Sequence, residues 1–143
     1  MPDEGPISVF DDPVPSDLQR LDDLLDQDNI ERTGIRDARI LAILLRSAEG
    51  ELYAGLHGHS WGGCCEIKTL WVAEDRRRQG LGVRLLAAAE EEALRRGCCQ
   101  IVLTTHTFQA PAFYEKYGFR RLASIEDYPR GHANIMMVKP LKR

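Results

Sequence analysis

The segment from Cys64 to Thr105 limits the possible folds more than any other part of the chain. Cys64 to Val72 has the β-branched and aromatic content of a central strand. A charged stretch, Ala73 to Gln79, leads into Gly80 to Arg96, where Leu81, Leu85, Ala88, Ala89 and Leu94 supply an apolar stripe at helical spacing and Gly97 stops the helix. Gln100 to Thr105 is a second compact strand. Strand, helix and strand over this length imply a right-handed crossover between parallel strands.

The remaining segments add antiparallel material around that unit. Ala38 to Arg46 is rich in Ile and Leu and runs into the turn Ser47-Ala48-Glu49-Gly50, so Glu51 to Ser60 is its hairpin partner. Pro111 suits the first turn of a short helix ended by Gly118, and the tail from Phe119 to Lys139 holds two strand-like runs about the turn Asp127-Tyr128-Pro129-Arg130-Gly131. Near the start, Ile7 to Phe10 is consistent with an edge strand. Ser16 is a plausible N-cap for an amphipathic helix from Asp17 to about Asp28, carrying Leu18, Leu21 and Leu25. The expectation is an α/β or α+β fold with a mixed sheet, and 143 residues suit one domain, residues 1–143, with one core.

Charge and composition narrow the function. A net charge of −3 argues against a general nucleic-acid binder and against a DNA-contacting role for Arg76 to Arg78. No apolar run approaches bilayer length and the start lacks signal-peptide regions, which points to the cytoplasm without membrane attachment. The cysteines form two adjacent pairs, Cys64-Cys65 and Cys98-Cys99, without metal-type spacing. They read as core or surface residues in a reducing compartment, with catalytic thiol chemistry as a remote second reading and no metal expected.

The chemistry-bearing stretch is Arg76-Arg77-Arg78-Gln79-Gly80-Leu81-Gly82, between a strand and a helix. Glycines there let backbone approach a bulky anion, and free amides at the helix N-terminus, reinforced by its dipole, point at it. A solvated cap is the bland alternative. The loop is neither a Walker A motif nor the Gly-x-Gly-x-x-Gly of dinucleotide folds.

Arg77-x-x-Gly80-x-Gly82 resembles the Gln/Arg-x-x-Gly-x-Gly/Ala signature of the GNAT superfamily of N-acetyltransferases. The strand ending Leu70-Trp71-Val72 resembles that family's fourth strand, and Ala110-x-x-Phe113-Tyr114-x-x-x-Gly118-Phe119 its C-terminal motif. Phe108-Gln109-Ala110-Pro111, with Asp127-Tyr128-Pro129 and Gly131-His132, is also similar to a small bacterial branch. The resemblance implies a mixed, mostly antiparallel central sheet with helices on both faces. It implies acetyl-CoA as cosubstrate, held by Arg77, Arg78, Gln79, Gly80, Leu81 and Gly82 at the pyrophosphate and by Leu70, Trp71 and Val72 along the pantetheine arm. Thr107 stands where the family often has Asn, which puts that cofactor contact in question.

The reaction implied is direct attack of a primary amine on the acetyl thioester in a ternary complex. Glu66, on the face of Val72 by period-two alternation, is the expected general base, with His57, His59, Asp127 and His132 in reserve. An exposed or ion-paired structural glutamate is the competing reading. Tyr114 is expected to assist departure of the thiolate, with Phe113 and Tyr117 as core aromatics, and a backbone amide near Trp71 to meet the oxyanion. A small-molecule amine is favoured over a protein lysine or N-terminus as acceptor, since Glu4, Asp11, Asp12, Asp22, Asp23, Asp26 and Asp28 would attract a cation. Many relatives pair as homodimers. A non-catalytic acyl-CoA-binding sensor is the rival from another class.

Overall fold

In chain order the elements are α1 (Pro15–Thr33), β1 (Arg39–Arg46), β2 (Leu52–Trp61), β3 (Cys64–Val72), α2 (Leu81–Arg95), β4 (Gln100–His106), α3 (Pro111–Lys116), β5 (Arg120–Glu126) and β6 (Ala133–Pro140). They are described over residues 4–142 of a computed structural model. Met1–Ile35 and Arg36–Arg143 form two compact units.

The first unit holds α1. Its N-cap is Val14, with Pro15 in the first turn, so Ser16 lies inside the helix and not at its cap. The helix runs past Asp28 to Thr33 because the stop is Gly34, which takes φ 72° and donates its N–H to the Ile30 carbonyl at 2.7 Å. Ile7 to Phe10 forms no strand, since it has no ladder partner.

The second unit is a six-stranded sheet in the order β1-β2-β3-β4-β6-β5, antiparallel except for β3 and β4. The crossover expected between Cys64 and Thr105 is therefore present. Leu56, Leu85, Ile101 and Met137 are the largest fully buried side chains, joining sheet and α2 in one core. On α2 the buried positions are Leu81, Leu85, Leu86, Ala89 and Ala93. Leu86 and Ala93 thus replace Ala88 and Leu94 of the expected stripe, and Leu94 is exposed. The end of the helix is tied to the sheet by Arg96, whose guanidinium donates to Glu92 Oε2 at 2.8 Å, Ser60 Oγ at 3.0 Å and the Ile40 carbonyl at 3.1 Å.

One irregularity positions the site. Between β2 and β3 the register passes from Gly58↔Ile67 to His57↔Thr69, so Lys68 is the extra residue of a β-bulge. The parity of β3 inverts there. Cys65 and Ile67 share a face with Ser60 and Gly58, and beyond the bulge Leu70 and Val72 share that core face with Leu56 and Ala54. Glu66 instead pairs with His59 on the opposite face, with Thr69 and Trp71. Glu66 and Val72 are therefore on different faces, which corrects the alternation argument.

Gly58 makes the bulge possible, because a Cβ there would overlap the Glu66 carbonyl, a backbone atom that cannot swing away. Gly58→Ala is expected to cost about 1–3 kcal/mol, the usual range for an overpacked core. A melting temperature within 1 °C or so of the parent would show that the bulge tolerates a side chain.

Candidate active site

The site starts where two strands part. β3 and β4 pair in parallel only from Cys64↔Gln100 to Ile67↔Leu103. Beyond these pairs β3 continues to Val72 against β2 alone, and β4 to His106 against β6 alone. Their facing backbone edges lose each other as partners, and an extended ligand carrying amides can pair with them as a strand would. A cleft of about 800 Å³ occupies this gap.

The basic loop closes one end of the cleft. After a short 3-10 turn, Glu74–Arg76, the chain takes positive φ at Arg78 (64°) and again at Gly80 (79°), the N-cap of α2. No side chain caps this helix, so the orphan amides of its first turn are presented without an internal competitor. Arg77, Arg78, Gly80, Leu81 and Gly82 all line the cleft. Gly82 is tight against α3, since a Cβ there would lie 3.0 Å from Phe113 Cζ.

The arginines are less free than their number suggests. Arg77 Nε donates to the Val72 carbonyl at 2.9 Å, fastening the loop to the end of β3 and taking one of that oxygen's two lone pairs. Arg76 lies over the Tyr53 ring at 4.3 Å. Gln79 does not line the cleft, although its neighbours do.

Tyr114 lines the cleft from α3, is 7% exposed, and is packed edge-on by Phe113 and Phe119 at centroid distances of 5.3 and 5.6 Å. Burial pushes its hydroxyl pKa up from the usual 10.0, so the group is protonated at neutral pH and able to donate. Phe113 and Tyr117 pack against the core, as expected.

Leu70, Trp71 and Val72 line the cleft along β3. Glu66 is half-buried on a central strand, beside His59 in register and in no salt bridge with a described residue. It does not line the cleft itself, but it stands two residues before the bulge at which the cleft begins. That bulge, at Lys68, lies three residues earlier than the Trp71 amide expected to meet an oxyanion. His57 shares Glu66's face, as Thr69's register partner. Asp127 Oδ1 accepts the Gly131 N–H at 3.4 Å within the β5–β6 turn, and His132 packs edge-on against Phe108.

Thr107 has a structural task. Its N–H donates to the Ala133 carbonyl at 2.9 Å and its Oγ1 accepts the Ala133 N–H at 3.1 Å, so it closes the β4–β6 ladder and does not line the cleft. The cleft also includes Thr69, Thr104, Thr105, Phe108 and Gln109, none assigned from sequence. The Phe108-Gln109-Ala110-Pro111 signature marked the place of two of them. Cys64 and Cys65 are not poised for catalysis, since burial raises the pKa of Cys64 and takes that of Cys65 to about 11. No group of side chains able to hold a metal occurs among the described residues.

The model of the Acetyltransferase (GNAT) family matches residues 8–119. This chain belongs to that family. It is 40% identical over 116 residues to the blasticidin-S acetyltransferase of Streptomyces morookaense, covering 78% of this chain and 85% of that protein. An acetyltransferase of Agrobacterium fabrum is 36% identical over 111 residues, covering 78% and 81%. The crystal structure of an acetyltransferase from Bacillus cereus superposes with a TM-score of 0.76 at 28% identity, over 94% of this chain and 98% of that one. The mixed, mostly antiparallel sheet is thus the fold of an acetyltransferase family, and the chain is an acetyltransferase of the GNAT type.

Proposed function

We propose that the chain, as one N-acetyltransferase domain, moves an acetyl group from acetyl-CoA to a primary amine by direct attack within a ternary complex. The observation carrying this reading is the gap between β3 and β4 beyond Ile67 and Leu103, which runs to the uncapped N-terminus of α2. The pantetheine arm would pair with the backbone of Leu70 and Val72, and the pyrophosphate would accept amide N–H groups of the Arg77 to Gly82 loop. The amide freed at the Lys68 bulge would face the carbonyl oxygen, where charge develops in the attack. Glu66 would take the amine's proton, directly or through water, and the Tyr114 hydroxyl would hydrogen-bond or protonate the departing sulfur.

The acceptor is a small-molecule amine in this reading, supported by the relation to an acetyltransferase named for blasticidin-S and by the acidic residues of the first unit. The two adjacent cysteine pairs, without metal-type spacing, support a reducing, cytoplasmic setting.

Calorimetric titration of acetyl-CoA into Gly82→Asp and Gly82→Ala tests the anion cradle. Both variants place a Cβ against Phe113, so their difference isolates the carboxylate. Gly82→Asp is expected to bind at least about tenfold more weakly than Gly82→Ala, a cost of about 1.4 kcal/mol. Equal affinities in folded variants would remove the loop from the site.

A further inference from the structure

Past the end of the cleft, four rings gather where the segment after β4 meets the β5–β6 turn. His106 stacks on Phe108 with centroids 5.4 Å apart and planes inclined by 5°, and its ring lies 5.1 Å from that of Tyr128. Phe108 meets His132 edge-on at 5.0 Å. His106 Nδ1 is 2.8 Å from the Tyr128 carbonyl, which can only accept, so Nδ1 carries a proton and the contact holds the ring in place. Backbone bonds fix the frame. Tyr128 N–H donates to the His132 carbonyl at 3.2 Å, His132 N–H to the Pro129 carbonyl at 2.8 Å, and His106 N–H to Gln109 Oε1 at 2.8 Å.

These rings are held in place and yet open. Phe108 is 56% exposed and Tyr128 52%, unusual for aromatics each fixed by a neighbouring ring. Phe108 also lines the acetyl-transfer cleft, so the exposed ring surface begins where the cleft ends. Beside it on the sheet, Asn134 is the register partner of both His106 and Ile125, and its buried Oδ1 has no donor among the described residues. Exposed Ile125 and Met136 extend the apolar surface. A pre-set, partly open wall of rings matches a flat, apolar ligand. A flexible polyamine lacks the flat face that such a wall would stack.

We propose that His106, Phe108 and Tyr128 form the docking wall for the acceptor, and that the acceptor amine carries a planar aromatic or heteroaromatic ring. The inference rests on the acetyltransferase reading above and names the substrate class of the same site. Tyr128 and Phe108 stack the ring, while His132 braces Phe108. The acceptor's amine then reaches along the cleft toward β3.

Calorimetric titration of tryptamine and of spermidine into the protein saturated with coenzyme A tests this directly and needs no turnover. The parent is expected to bind tryptamine several-fold more tightly than spermidine. Tyr128→Ala and Phe108→Leu should each weaken tryptamine binding roughly 3- to 10-fold, the range of one ring-ring contact, and change spermidine binding less than about twofold. Phe108→Leu keeps apolar bulk and removes the ring face, so it decides the matter alone if Tyr128→Ala lowers the melting temperature enough to unfold the protein. Equal affinity for the two amines in the parent, or unchanged tryptamine affinity in Phe108→Leu, overturns the docking wall. The titration of coenzyme A that precedes these measurements separates the two levels. Failure there takes down both readings, whereas coenzyme A binding without ring preference takes down the wall alone.

Discussion

Tyr114→Phe is expected to lower turnover by roughly 10- to 10³-fold while acetyl-CoA affinity stays within about twofold of the parent, the pattern of an interaction made mainly in the transition state. The ring of Tyr114 is buried against Phe113 and Phe119, and phenylalanine preserves those contacts, so the fold should survive. The hydroxyl is what the substitution removes. Its pKa is raised by burial, so it is protonated through the neutral range and available as a donor. A thiol of pKa about 8.5 leaves fairly well unaided, so a proton donor helps in proportion to the charge on sulfur. Tyr114→Ala separates packing from chemistry, since loss of a buried aromatic costs about 3–5 kcal/mol and should appear first as a lowered melting temperature. Native-like turnover in Tyr114→Phe would reduce Tyr114 to a core aromatic.

Glu66→Gln is expected to cost about 10²-fold or more in turnover at neutral pH, the typical scale of general-base assistance, with cofactor affinity retained. Glutamine keeps the shape and removes the basicity. The side chain is on a central strand, paired in register with His59 and engaged in no salt bridge with a described residue. His59→Gln is the companion variant. A large loss in His59→Gln with near-native turnover in Glu66→Gln would move the role across the strand pair.

The crossover unit was legible because each piece carries a local signal: apolar content in Cys64 to Val72, a glycine-bearing basic loop, 3.6-residue periodicity, and Gly97 as a stop. The uncapped start of α2 was legible for the same reason, since its loop carries Gly80 and Gly82 close together in sequence. The cluster of His106, Phe108, Tyr128 and His132 was not, because it is assembled from β4, the segment before α3 and the β5–β6 turn, which only tertiary pairing brings together. Alternation placed Glu66 on the face of Val72, and a single extra residue, Lys68, reversed that. The available sign of the bulge was Gly58 on the partner strand, since a glycine inside a strand marks a close backbone approach. Thr107 stands where the family often has Asn, and its bonds to Ala133 take its N–H and one lone pair of Oγ1, a role that position in sequence did not reveal. Ile7 to Phe10 has strand-like composition without a strand, because composition supplies no ladder partner.

Release of free coenzyme A thiol from acetyl-CoA, followed across a panel of aromatic, aliphatic and sugar amines, tests the central claim most directly. The account predicts amine-dependent release, strongest with ring-bearing amines, and its collapse in Glu66→Gln and Tyr114→Phe. Tight acetyl-CoA binding with no amine-dependent release across the panel would contradict it and make the chain a sensor of the cofactor.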